Sequence, residues 1–370
     1  MSLTRCRTLI LVAPLIANLT GCESSGGPGE KGSTPSVAAR ATAISNPGSP
    51  SAVPTASPSA PGAKSVSQSQ LRERAIDQIQ QSSRSNDPAV RANAVEAAGR
   101  VKGRLKSVVT KGLSDPNLGV RAVAATTIGR AGLKDLAEST RPLLTDESPL
   151  VRTSAVFALT KARAAVDPSP LADLLLTGAT TRGRAHAAFL LGEIGNTTAL
   201  PLLRQAMNQP VPGSGIDELK LFQLQLSEAM VKLGDGDMRQ SLRAALYPSR
   251  PEELEAAALA AQILGEVGDR AAADQLVYLT EYRDPSGNFY PAEVRLAAAA
   301  SLAKLGVRGG SFIPDTYVNN VNPAVRGQVA FTYGNIGGPA AFSRLEALLN
   351  DPVESVRLTA AFAVIRAGDQ

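Results

Sequence analysis

The stretch Ser114-Asp-Pro-Asn-Leu-Gly-Val-Arg-Ala-Val-Ala-Ala-Thr-Thr-Ile-Gly-Arg-Ala-Gly132 recurs with variations through most of the chain, and this recurrence limits the available folds more than any other feature. Aligned on its first arginine, the copies place Arg91, Arg121, Arg152, Arg184, Arg295, Arg326 and Arg357 at spacings of 30, 31, 32, 111, 31 and 31 residues. A period near 31 is the mark of a solenoid, in which each unit buries its face only against its neighbours. A chain of 370 residues therefore need not divide into two globular domains. The long gap holds two more units, recognisable by the tails Ser227–Gly234 and Leu259–Gly268, in which Gln223 and Ala257 take the arginine's place. The count is nine units, two of them degenerate.

Within a unit, the residue before the arginine is Val90, Val120, Val151, Val294, Val325 or Val356. Three after it stand Ala94, Ala124, Ala155, Ala187, Ala298, Val329 and Ala360, and seven after it aliphatics such as Ile128, Leu159, Leu191 and Leu302. Offsets of −1, +3 and +7 share one helix face, so each unit carries a buried stripe. Helix starts are predicted at Asp87-Pro88, Asp115-Pro116, Ser148-Pro149, Asn322-Pro323 and Asp351-Pro352, where a short polar side chain accepts from free amides and proline suits the first helical position. Gly132, Gly195, Gly268, Gly306 and Gly337 close the tails as left-handed caps. Second amphipathic segments, such as Lys134 to Leu144 and Ala271 to Tyr282, complete helical hairpins that stack on one another.

Composition agrees with this all-α reading. Aromatics are 4% of residues and tryptophan is absent. A core of small side chains favours closely approaching helices over strands.

The recurring Asp-Pro, Val-Arg, Ala and Gly pattern resembles HEAT repeats, especially the short type of the phycobilisome lyases. The resemblance spans residues 68–370 and implies an all-α, right-handed α–α superhelix. Such arrays mostly present surfaces to proteins, so it speaks to fold more than to activity.

Residues 1–21 read as a signal peptide: Arg5 and Arg7, an apolar run from Leu9 to Leu19 too short to span a bilayer, then Thr20-Gly21. Leu19-Thr20-Gly21-Cys22 resembles the bacterial lipobox, which implies diacylglycerol transfer to the Cys22 sulfur and cleavage before it. Two or more acyl chains, at roughly 0.8 kcal/mol per CH₂, anchor a protein stably where one is marginal. Because Glu23 follows, the expected location is the outer membrane, facing the periplasm or the cell surface. Cys6 departs with the leader and Cys22 is modified, so the mature domain holds no disulfide. Residues 22–67, rich in Ser, Pro, Gly and Ala, lack regularly spaced apolar residues and are expected to form a disordered tether. A proline-rich recognition peptide is the sharper alternative.

Candidate chemistry is sparse. The repeated arginines could form an anion track, or a structural ladder reaching the caps and carbonyls of adjacent units; the capping aspartates beside them favour the ladder. His186, two residues after Arg184, sits at an offset that tolerates polar residues and is expected at the surface. One histidine cannot supply a two-His zinc motif, nor the several His-Glu pairs of the HEAT-type di-iron hydroxylases. Asp284, Ser286 and Asn288 alternate like calcium ligands but lack the downstream carboxylate of a full loop. No nucleophile elbow or phosphate-binding Gly-Lys loop is present, and no cofactor is expected.

The formal charge of +5, from 38 basic and 33 acidic residues, falls by two with the leader. With no basic cluster interleaved with aromatics, nucleic acid is not an expected partner. Two insertions, 209–215 and 282–291, break the period beside the degenerate units. The second concentrates Tyr278, Tyr282, Phe289 and Tyr290, of which Tyr282, Phe289 and Tyr290 are the expected contacts for a protein partner. The function expected from the sequence is a membrane-anchored, non-enzymatic scaffold or adaptor. The alternative is an enzyme-accessory or lyase-like protein with a pocket on the concave face.

Overall fold

The computed structural model describes residues 67–101 and 103–369. The leader, Cys22 and the tether up to residue 66 lie outside the described residues. In chain order, α1 (Gln68–Ser82) pairs with α2 (Pro88–Arg100), and α3 (Lys106–Gly112) with α4 (Leu118–Ala131). A 3₁₀ segment, Lys134–Thr145, pairs with α5 (Pro149–Ala162), and α6 (Ser169–Thr177) with α7 (Thr181–Ile194). Next come α8 (Leu200–Met207) with α9 (Ile216–Lys232), and α10 (Met238–Ala244) with α11 (Leu254–Glu266). The last pairs are α12 (Ala273–Glu281) with α13 (Ala292–Lys304), α14 (Ile313–Tyr317) with α15 (Pro323–Ile336), and α16 (Gly338–Leu348) with α17 (Glu354–Gly368). These are the nine hairpins read from the sequence, and the fold is an all-helical solenoid. Among the described residues the only strand-like pairing is an isolated bridge between Arg283 and Phe289.

The predicted stripe is the core. Val120, Val151 and Val356 at −1, the +3 residues from Ala94 to Ala360, and Ile128, Leu159 and Leu302 at +7 are all buried. Each second helix of a hairpin packs on the second helices before and after it, and most first elements lie in the groove between two of them. Close approach is built in: a Cβ on Gly192 would stand 2.9 Å from the Ala229 Cα of the next inner helix. Lys134–Thr145 winds as 3₁₀ turns because Pro142 inside it lacks an N–H for the α ladder.

Two helix starts differ from the expectation. Asp87, Ser148 and Asn322 do precede helices that begin on proline. However, α4 begins at Leu118, capped by the Asn117 side chain, and α17 begins at Glu354. Asp115 and Asp351 are thus not caps; they sit six residues before the recurring arginine, where each carboxylate accepts from the amide two residues on. That extra turn explains the variable distance between proline and arginine.

The array also closes. The first helix, α1, lies in the groove between α17 and α2, as α3, α6, α10, α14 and α16 each lie between two inner helices. Leu71, Ala75, Ile76 and Ile79 of α1 are buried. Around them Arg72 reaches Asp369 (3.4 Å), Arg74 reaches Glu346 (3.4 Å) and Asn350 (3.1 Å), and the Ser85 hydroxyl donates to Glu354 (2.9 Å). The nine inner helices α2, α4, α5, α7, α9, α11, α13, α15 and α17 therefore form a cycle, and the face they turn away from the outer elements is enclosed.

Tails end left-handed as predicted, at Gly132 (φ 66°) and Gly195 (φ 81°) among others, but the third unit places Arg163 there at φ 64°. A Cβ in that region costs roughly 1–2 kcal/mol. Arg163→Gly should therefore raise the stability by about 1 kcal/mol, read as a higher urea midpoint at unchanged slope. A lower midpoint would show that the arginine side chain outweighs its backbone strain.

Candidate functional site

Three arrays of side chains could carry function: the recurring arginines, the enclosed inner face and an aromatic run on the outer elements.

The arginines follow one geometry. Arg91, Arg121, Arg152, Arg326 and Arg357 each donate from Nη1 to the carbonyls five and six residues earlier, as Arg121 does to Asp115 (3.0 Å) and Pro116 (3.1 Å). The free side of the fork then grips the aspartate six before the next unit's arginine. Arg91 binds Asp115 through two bonds of 2.8 Å, Arg121 binds Asp146 at 2.9 and 3.1 Å, and Arg326 binds Asp351 at 2.7 and 2.9 Å. Burial alone would push these three carboxyls up, but the guanidinium fork and a backbone N–H hold each below the usual carboxylate range.

Where the acceptor position is not acidic, or the next unit has no arginine of its own, the bridge is lost. Arg152 faces a unit with Gly178 in that place and keeps only its own carbonyls. Arg184 donates to Gly178 O (2.7 Å) and Pro210 O (3.3 Å). Arg295 donates to Thr280 O (2.8 Å) and the Tyr317 hydroxyl (2.7 Å). Of the two substitutes, Gln223 is exposed and Ala257 buried. An acidic residue six before a recurring arginine is the sequence signal for a complete bridge; Asp217, six before Gln223, receives none from Arg184. The arginines are thus engaged with the protein itself and do not form an open anion track.

Offsets +2, +5 and +9 from the arginine share the inner face. At +5 lie Phe157, Phe189, Phe331 and Phe362, all buried, together with Glu96 and Glu228. At +9 stand the cations Arg100, Arg130, Lys161, Lys232, Lys304 and Arg366, with Glu193 and Glu266 opposing them and Asn335 neutral. Contacts run between inner helices here: Arg130 of α4 binds Glu96 of α2 (3.0 Å) and, past α5, Glu193 of α7 (3.4 Å). Lys232 binds Glu193 (2.7 Å) and Glu228 (2.8 Å), and Lys304 binds Glu266 (2.7 Å). The cations lie over the phenylalanines, Arg130 and Lys232 at 5.5 and 5.4 Å from the Phe189 centroid. Each such contact is worth about 0.5–2 kcal/mol, more where water is displaced. Burial raises the Glu96 carboxyl, whereas Lys304 brings Glu266 down to about 2.

On the outer elements, four tyrosines run across successive units. Ring centroids are 5.8 Å apart for Tyr247–Tyr278, 5.2 Å for Tyr278–Tyr282 and 4.5 Å for the stacked Tyr282–Tyr290. The predicted trio thus divides. Tyr282 and Tyr290 stack, and Phe289 lies between the guanidiniums of Arg283 (3.7 Å) and Arg295 (3.9 Å). Tyr247 (53% exposed) and Tyr278 (40%), which lie outside the insertion, are the most open tyrosines of the run, and Phe289 is 39% exposed. The Asp284 carboxylate accepts from the amides of Ser286 and Asn288 and from the Asn288 side chain, so it closes its own loop. Among the described residues no group of three or more His, Cys, Asp or Glu side chains is placed to hold a metal ion.

Residues 106–183 match the family described as HEAT repeats. Among solved structures, the chain is similar to human deoxyhypusine hydroxylase in complex with glycerol, at 21% identity over 74% of this chain and 98% of that one, with a TM-score of 0.37. It is also similar to the complex of CpcE and CpcF of phycocyanin lyase from Nostoc sp. PCC7120, at 20% identity over 72% and 98%, TM-score 0.41. A HEAT-like repeats protein from the archaeon Thermococcus onnurineus NA1 is 12% identical over 74% and 100%, TM-score 0.27. At such identities and scores none of them bears on the activity of this chain. The comparison with curated proteins returns no match.

In this HEAT-like array the sequence placed His186 at the surface, and the structure corrects that: the side chain is fully buried. Its +2 offset is off the stripe between hairpins, but closure turns that face inward. The Nε2 atom pairs with the Ser154 hydroxyl (3.0 Å), which accepts from Thr126 (3.1 Å) and donates to Leu150 O (2.9 Å). Ser154 is equally buried, so this Ser-His contact offers no surface to a substrate. Burial, against the Leu150 carbonyl and helped by the nearby positive Arg182, brings the imidazole down to about 4 from an ordinary 6.5.

The folded ring therefore binds its proton only near pH 4, whereas the unfolded one does so near 6.5. The stability is whole above pH 6.5, falls as the pH drops through this window, and is lower by about 3 kcal/mol below 4. Urea melts of wild type and His186→Gln at pH 7.5 and 4.5 should show a smaller loss of stability in the variant. An equal loss in both would mean that His186 does not titrate with unfolding.

Proposed function

We propose that this protein is a lipid-anchored, non-enzymatic scaffold that holds a protein partner on the outer surface of its HEAT-like array. The observation that carries this reading is the closure of the array on a filled inner face. An open solenoid grips its partners in the concave groove. Here that groove is taken up by phenylalanines and by charges most of which pair with one another, so a large partner must use the outside. The tyrosine run at Tyr247, Tyr278, Tyr282 and Tyr290 suits that role, because tyrosine buries a large apolar ring and keeps a hydroxyl for the rim. Burial raises the phenols of Tyr278 and, to about 12, of Tyr290, so the run is uncharged at neutral pH.

The anchor rests on the sequence alone, on Leu19-Thr20-Gly21-Cys22 behind an apolar leader. Among the described residues no helix is long and apolar enough to cross a membrane. A lipid on Cys22 would leave the array to face the periplasm or the cell surface at the end of residues 22–67.

Tyr247→Ala with Tyr278→Ala removes the two open rings and leaves the Tyr282–Tyr290 stack in place. In a pull-down from membrane extracts this variant should capture about tenfold less partner than wild type. Undiminished capture would take the tyrosine run out of the proposal. Labelling with radioactive palmitate should mark wild type and not Cys22→Ala, and an unlabelled wild type would remove the anchor.

A further inference from the structure

The inner face is not equally complete around its cycle. At Phe189 the arrangement is closed: Arg130 and Lys232 lie over the ring, and Glu193, four residues along the same helix, accepts from both at 3.4 and 2.7 Å. At Phe331 the cations recur, Lys304 and Arg366 each 5.5 Å from the ring centroid, but the residue four along is Asn335. Lys304 is satisfied by Glu266 at 2.7 Å. Arg366 meets no carboxylate among the described residues. Neither does Arg100 across the seam, which lies over Phe362 at 5.3 Å.

Asn335 marks the same vacancy from below. Its side chain is 3% exposed, its Nδ2 donates to Phe331 O (2.8 Å), and its buried Oδ1 has no hydrogen-bond partner. A buried acceptor left so costs on the order of 1–3 kcal/mol unless something supplies a donor. Burial and the repulsion of Arg100 outweigh the attraction of Glu266, which lies beyond ion-pair distance, and hold the Arg366 guanidinium below its ordinary range. Arg100 is exposed and borders a cleft of about 410 Å³ at the seam, lined also by Arg72, Arg104 and Asp369, so the sector is approached past Arg100, while Arg366 and Asn335 lie behind the cleft's lining.

We propose that this sector is a binding site for a small carboxylate, seated between Arg366 and Arg100 where the Glu193 side chain sits in the other half, with an adjacent hydroxyl or amine donating to Asn335 Oδ1. A planar guanidinium pairs with a carboxylate through two parallel bonds, which makes a carboxylate the natural replacement for the missing glutamate. The unpaired amide oxygen adds a preference for a hydroxy or amino acid over a plain one. This site lies on the inner face, away from the tyrosine run, and stands whether or not a protein binds outside.

Calorimetric titration of the full chain with malate, succinate and inorganic phosphate tests it. Malate should bind, succinate several-fold more weakly, and phosphate weakest. Arg366→Gln should weaken malate at least tenfold. Asn335→Glu, which restores the carboxylate within the chain, should abolish binding and raise the melting temperature. Should Asn335→Glu fail to fold, the malate-to-succinate preference and Arg366→Gln still decide the matter. No heat from malate at millimolar concentration, malate binding unchanged in Arg366→Gln, or phosphate binding more tightly than malate would overturn the assignment.

Discussion

α1 packs its apolar stripe, Leu71, Ala75, Ile76 and Ile79, into the groove between the last inner helix and the first. The apolar contact supplies most of the energy of this seam. The surrounding ion pairs, such as Arg72–Asp369 with side chains 37% and 47% exposed, are of the kind worth at most about 1 kcal/mol and mainly set its register. In an open solenoid the first and last units would each show water an uncovered flank. Here each covers the other, and the +2, +5 and +9 positions of every inner helix pass from a solvated groove to an enclosed one.

That enclosure changes what charge does. An Arg or Glu on a solvated face is weakly coupled to its neighbours, whereas in a narrow interior its pairing is obligatory, because an unpaired buried ion costs several kcal/mol. The Arg130–Glu193–Lys232–Glu228 network meets this demand, and its Arg130–Glu193 pair joins units that are not adjacent in the chain. The phenylalanines beneath it give the cations a second favourable contact. The recurring arginines solve a different problem on the hairpin turns: each ties its own helix start to the aspartate of the next, which links units in series where the inner network links them across. The two systems together resist both unit-by-unit fraying and opening of the cycle.

Much of this was legible in the sequence and some was not, for identifiable reasons. The helical hairpins, the −1, +3 and +7 stripe and the glycine tails are local, since each is determined by residues within one unit. Asp115 and Asp351 were misread as caps because the Asp-Pro pair looks alike in both kinds of turn; counting back six from the arginine would have shown them to be bridge acceptors. His186 was misplaced because offset +2 looks like a polar surface in any single unit. Only the summed rotation of nine units, which no local pattern reports, brings Arg72 and Asp369 together across 297 residues. The aromatic insertion was visible as a cluster, but Tyr247 joins it only through the packing of the neighbouring unit, where it meets Tyr278.

The enclosed inner face follows from the meeting of α1 with the last hairpin, and a distance across that seam tests it directly. Arg74 and Asn350, joined by a 3.1 Å hydrogen bond, can be replaced by cysteines carrying spin labels in a chain whose Cys6 and Cys22 are changed to serine. Dipolar spectroscopy should then give one narrow distribution at the short end of its range, independent of protein concentration. A broad or long distribution, as expected if the first and last units stand apart, would contradict the closed cycle and with it the account of the inner face.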